Sequence, residues 1–105
     1  MPSPEKVAYI TGATQGIGRA TALALGRAGY AVGLVARTES DVDDLANELS
    51  REGIEAAGAA ADVGNPDQAQ RAVDDLIRAL GDADVLVNNA GVLIAKPFEQ
   101  LTLED

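Results

Sequence analysis

Thr11-Gly12-Ala13-Thr14-Gln15-Gly16-Ile17-Gly18 follows directly on a short apolar run, Val7 to Thr11. Glycines clustered at a strand-to-helix turn have a specific chemical use. One makes the tight turn, one lets the backbone approach a pyrophosphate, and one allows close helix packing, while the helix N-terminus faces the negative charge. Gly12, Gly16 and Gly18 suit those roles in that order, with Thr14, Gln15 and Ile17 on the same turn. The spacing is neither GxGxxG nor a P-loop, because no Lys-Ser/Thr pair closes it. Alone, such a cluster also fits a plain turn.

The cluster does not stand alone. Val35-Ala36-Arg37-Thr38 ends a second apolar run, roughly 20 residues after the glycines, where an NAD-binding domain offers a carboxylate to the ribose 2′-hydroxyl. Here that place is neutral and then basic. A charge-assisted bond from Arg37 to a 2′-phosphate is worth about 1.5 to 3 kcal/mol, tenfold or more in affinity. The expected cofactor is therefore NADP(H), with Thr38 assisting and NAD(H) as the second choice. Gln15 adds no further positive charge. Asp62-Val63 follows a third run and Asn88-Asn89-Ala90-Gly91 closes a fourth, all at strand ends, the edge where open parallel sheets bind ligands.

The elements that must position these groups alternate. Strands are expected at 7–11, 31–36 and 85–88, each bounded by Gly, Asp or Asn. A weaker fourth, 55–61, is Ala-rich and also fits a helix by propensity, but its place between two helices favours a strand. Helices are expected over 16–28, closed by Gly29, over 40–51, closed by Gly53, and after Asn65-Pro66 to Gly81. Val42, Leu45, Ala46 and Leu49 line the second; Ala69, Ala72, Val73, Ile77 and Leu80 form the stripe of the third. Alternation of this kind predicts an α/β fold with a parallel sheet.

Composition narrows the function. The 105 residues have an apolar fraction of 47%, drawn from Ala, Val, Leu and Ile, and allow one modest core. Seventeen acidic against 8 basic residues leave a net charge of -9, which repels nucleic acid and anionic lipid. Without cysteine or histidine there is no disulfide, thiol nucleophile, Cys/His metal site or Ser-His-Asp group. No metal is expected. Neither a signal-peptide layout nor a membrane-length apolar run is present, so the expectation is a soluble cytoplasmic protein.

Taken in order, TGxxxGxG, an Asp after the third strand and NNAG resemble the short-chain dehydrogenase/reductase family, and the likeness runs from Lys6 onward. The resemblance implies a Rossmann-type doubly wound parallel sheet. It places the Asp62 side chain at the adenine amino group, the Val63 backbone at the ring, and a loop of Asn89, Ala90 and Gly91 beside the adenosine ribose. Asn88 fits a structural or a ligand-contacting role equally. The family moves hydride between nicotinamide and a small carbonyl or alcohol substrate, and its longer members form homo-oligomers. Its catalytic Ser, Tyr-xxx-Lys and assisting Asn lie in a later half, so no catalytic residue is expected among these 105.

Tyr9 and Tyr30 cannot substitute, because Ala13 and Leu34 stand where the lysine would be. The expected sheet has four strands in the order 3-2-1-4 with three helices, two on one face and one on the other. Its fourth strand, Val85-Leu86-Val87, is apolar as if buried on both sides, yet would be an edge. That and a helix-start pattern at Thr102-Leu103-Glu104-Asp105 lead us to expect the cofactor-binding front portion of a longer oxidoreductase. Two other readings are a non-catalytic NADP(H)-sensing module and a methyltransferase-like sheet, the latter opposed by the NNAG stretch.

Overall fold

Short apolar runs separated by amphipathic segments assemble into one sheet with helices on both faces. The computed structural model describes residues 6–14, 16–88 and the backbone of 91–94. The elements are β1 (Val7–Thr11), α1 (Gly16–Arg27), β2 (Ala31–Ala36), α2 (Glu39–Arg51), β3 (Ala56–Ala60), α3 (Pro66–Leu80), β4 (Val85–Asn88) and β5 (Gly91–Ile94). Strand order is β3-β2-β1-β4-β5. The first four strands are parallel, as the alternation predicts.

β5 departs from the expectation. It pairs antiparallel with β4, Val85 opposite Ile94 and Asn88 opposite Gly91, so β4 is not an edge. Only two positions separate the two strands, too few for the long crossover that a parallel neighbour requires, and the chain must turn straight back. The apolar β4 thus gains neighbours on both sides. Gly91, which the resemblance places beside the adenosine ribose, is the first residue of this strand.

Side chains alternate across the strands and build a core on each face. On one, Ile10, Val32, Leu34 and Val87 pack with Ala22 of α1 and Val42, Leu45 and Leu49 of α2. On the other, Val7, Tyr9, Val35 and Leu86 pack with Ala72, Val73 and Leu76 of α3. Two helices on one face and one on the other match the expectation. The α3 stripe is centred one residue off: Leu76 is buried, while Ile77 and Leu80 lie half-buried at its flank. Residues 69, 72, 73 and 76 repeat at the three-to-four spacing, and Leu76 settles over Gly33, where a Cβ would come within 3.0 Å of its Cδ1.

The Ala-rich segment is a strand, with all five residues of β3 in parallel register with β2. Its small side chains let α2 lie close: a Cβ on Gly58 would stand 2.0 Å from Val42 Cγ1. Helix propensity loses here because strand pairing and this close approach both need the extended, side-chain-poor backbone. α1 and α2 are further joined by Arg19, whose Nη2 lies 2.6 Å from both Glu48 carboxylate oxygens.

Candidate functional site

The strand order reverses between β1 and β4, and at such a switch point the loops leaving the strand ends diverge and open a crevice. A cleft of about 1140 Å³ lies there, lined by Thr11 from β1, Val35 and Ala36 from β2, Ala61 and Asp62 after β3, and Asn88 from β4. Its volume lies just above the usual range for small-molecule sites, roughly 300 to 1,000 Å³, and suits a large, extended ligand.

Gly12 and Gly16 both line the cleft, and both adopt positive φ, 64° and 51°. Only a residue without a Cβ takes that conformation without strain. Gly18 does something different. It is buried beneath the turn, and a Cβ there would stand 2.1 Å from the Gly12 carbonyl oxygen, so its absence lets α1 start against the turn. Ala13 N–H donates to Val35 O at 3.2 Å, anchoring the turn to the end of β2.

α1 has no acidic residue in its first turn, whereas α2 has Glu39 and Asp41 and α3 has Asp67. The partial positive charge at the α1 N-terminus is therefore left to whatever occupies the cleft. Across the cleft, Arg37 is exposed and makes no ion pair or hydrogen bond among the described residues. Thr38 is the N-cap of α2, but its hydroxyl makes no cap hydrogen bond. Both groups line the cleft with polar atoms uncommitted to the fold.

Asp62 and Val63 form the third wall. Gly64 N–H donates to Asp62 Oδ1 at 2.9 Å, which fixes the carboxylate, and Val63 is 48% exposed, unusual for a valine. Asn65 opens α3 beside them, its side chain accepting from Asp67 N–H at 3.0 Å and Gln68 N–H at 3.2 Å.

The fold thus brings Gly12, Thr14, Gly16, Arg37, Thr38, Asp62 and Val63 to one cleft. Ile17 does not line it and is 84% exposed. Gln15, Asn89 and Ala90 lie outside the described residues. Thr11, Val35, Ala36, Ala61 and Asp41 also line the cleft, beyond the cofactor-binding residues expected from sequence. The first four are strand-end positions, which the rule for parallel sheets would have found. Asp41 stands three positions after Thr38, as in a capping box, and that spacing was its signal.

The tyrosines sit away from this chemistry. Tyr9 is buried against the α3 face, and its hydroxyl donates to the Gly81 carbonyl. Burial, helped by the nearby negative charge of Asp82, pushes its phenol up to about 12, the direction opposite to that of an acid/base tyrosine. Tyr30 packs beside the α1/α2 core. Among the described residues no cluster of acidic groups could hold a metal, and no helix is long and apolar enough to cross a membrane.

Fold and cleft together define a Rossmann-type nucleotide-binding sheet. The family model described as short chain dehydrogenase matches residues 6–105, and the chain belongs to that family. It is 39% identical to a glucose 1-dehydrogenase of Gluconobacter oxydans over 112 aligned positions, covering 100% of this chain and 42% of the relative. A 3-ketoacyl-ACP reductase structure from Sinorhizobium meliloti superposes with a TM-score of 0.74 at 45% identity, over 76% of this chain and 31% of that one. The L-sorbose reductase of Gluconobacter frateurii, solved with NADPH and L-sorbose, gives 0.77 at 37% identity, over 87% and 35%. The chain spans well under half the length of the relatives it matches.

Proposed function

We propose that this chain binds NADP(H) in the cleft and serves as the cofactor-binding portion of an oxidoreductase acting on a small carbonyl or alcohol substrate. The observation that carries the reading is Arg37, a cation just after β2 that lines the cleft and has no ion-pair partner among the described residues. No carboxylate stands there to favour a ribose 2′-hydroxyl. Arg37 and the Thr38 hydroxyl would hold the 2′-phosphate. Gly12, Thr14, Gly16 and the α1 N-terminus would hold the pyrophosphate, with Gln15, Ile17 and Gly18 on the same turn. Asp62 and Val63 would hold the adenine, and Asn89, Ala90 and Gly91 would border the ribose. The L-sorbose reductase crystallised with NADPH supports the same cofactor choice.

When bound, the nicotinamide supplies or accepts the hydride. The contribution of this chain is binding and orientation, which converts an encounter between two molecules into a reaction within one complex. No Tyr-xxx-Lys occurs in the sequence, and Tyr9 is committed to Gly81, so proton transfer to substrate requires residues other than these 105. On this reading the chain alone holds cofactor without turning substrate over.

Titration with NADPH and NADH, followed by nicotinamide fluorescence, tests the assignment. NADPH should bind about tenfold or more tighter, and Arg37→Asp should reverse the order. Equal affinities, or a ratio unmoved by Arg37→Asp, would overturn it. One observation favours a second reading, a self-sufficient NADP(H)-binding module: β5 pairs with β4, so β4 is not left as an open edge. Tight NADPH binding by a monomer, with no carbonyl reduction by the protein in its native full length, would select that reading.

A further inference from the structure

Asp62 has each of its polar backbone groups, and one carboxylate oxygen, engaged at once. Asn65 N–H donates to Asp62 O at 2.9 Å, and Gly64 N–H donates to Asp62 Oδ1 at 2.9 Å. Both bonds belong to the loop itself. The third comes from outside it: Asp62 N–H donates to the side-chain Oε1 of Gln68, at 2.9 Å, from the first turn of α3.

Gln68 stands three positions after the Asn65 cap, where a capping-box side chain normally turns back to the N–H of the cap residue. Here it passes the cap and reaches Asp62. Its own N–H is meanwhile held by Asn65 Oδ1 at 3.2 Å, so a residue fixed to the helix grips the residue that lines the cleft. The Asp62 N–H is exposed enough for water to replace the glutamine. Losing the bond therefore costs the fold little. What it removes is the hold on the Asp62 backbone, one of two restraints on the aim of the carboxylate, the other being Gly64 N–H on Oδ1.

We propose that Gln68 is a positioning residue for base recognition: by holding Asp62 N–H it aims the Asp62 carboxylate at the purine edge, so that a 6-amino group is accepted and a 6-oxo group is repelled. The inference rests on the dinucleotide reading above and adds to it the source of base selectivity. A carboxylate accepts from an amino group and opposes a carbonyl oxygen, so the ratio of affinities for NADPH and its hypoxanthine analogue reports the aim directly. A merely structural role for Gln68 would weaken both ligands equally.

The experiment measures both affinities for the protein and for Gln68→Leu and Gln68→Glu, with thermal midpoints alongside. The unsubstituted protein should prefer NADPH about tenfold or more. Gln68→Leu should cut that preference about threefold to tenfold with little change in midpoint, and Gln68→Glu, which keeps an acceptor at the same reach, should restore it. Should Gln68→Leu unfold, Gln68→Asn, one methylene too short, carries the same expectation. A preference unchanged in Gln68→Leu or Gln68→Asn, or lost equally in Gln68→Glu, would overturn the inference. So would an unsubstituted protein that binds both analogues alike, although the cleft assignment would then survive. Binding of neither analogue would overturn both.

Discussion

Arg37 and Asp41 line the same cleft with opposite charges, and on the proposed reading their balance would set how strongly a 2′-phosphate is held. An exposed carboxylate near a bound phosphate is screened, and its repulsion is worth at most about 1 kcal/mol. Asp41→Asn should therefore tighten NADPH by about twofold to fivefold and leave NADH nearly unchanged; isothermal titration of both cofactors checks it. Tyr9 makes a different prediction. Its phenol rises from 10.0 to about 12 because the charged form is buried and faces Asp82. A group whose folded value is raised contributes stability that is complete below the unfolded value and is lost as pH climbs through the folded one. Stability should fall between pH 10 and 12, and Tyr9→Phe should flatten that decline in urea midpoints recorded across the range.

Gly18 shows how an element can depend on one missing atom. The start of α1 rests on the Gly12 carbonyl, and a methyl group at Gly18 would overlap it, 2.1 Å away. Gly18→Ala should cost about 3 kcal/mol, the upper range for overpacking, measured by chemical denaturation. Gly16 has open space where its Cβ would be, but it lines the cleft and holds φ 51°, which strains any side chain. Gly16→Val should abolish cofactor binding while circular dichroism still reports the folded sheet. The two glycines look alike in sequence and fail in different ways, one through packing and one through the ligand.

At the scale of the whole molecule, the cleft draws on every parallel strand, because the C-terminal ends of β1, β2, β3 and β4 or the residues just after them line it at one edge of the sheet. A ligand spanning them ties the sheet together and binds only the folded state. NADPH at a hundred times its dissociation constant should add about 2.7 kcal/mol, equivalent to roughly 10 to 20 °C in a domain of this size. NADH at the same concentration should give a smaller shift. A scan in which the two cofactors raise the midpoint equally would count against selection by the phosphate. The net charge of -9 makes the arrangement of cations matter more: the protein repels anions at a distance, and on the proposed reading Arg37 would attract the phosphate only within roughly 10 Å, the screening length.

What the sequence determined by itself is whatever depends on near neighbours along the chain. The parallel strands, the caps at Asn65 and Gly81, and the glycine turn at Gly12 to Gly18 follow from local periodicity and backbone freedom. So does the presence of Arg37 at the end of β2, since one strand's length fixes where the next loop begins. Tertiary structure decided the rest. That β5 turns back onto β4, that Leu76 rather than Ile77 centres the α3 face, that Asp41 looks into the cleft and that Gln68 reaches Asp62 all depend on the final placing of surfaces. A change of one residue in helical phase turns a side chain by about 100°, and strand pairing is set by which edge lies open. Neither quantity is carried by residue type alone, because each is an energy difference between alternatives that exist only once the sheet is built.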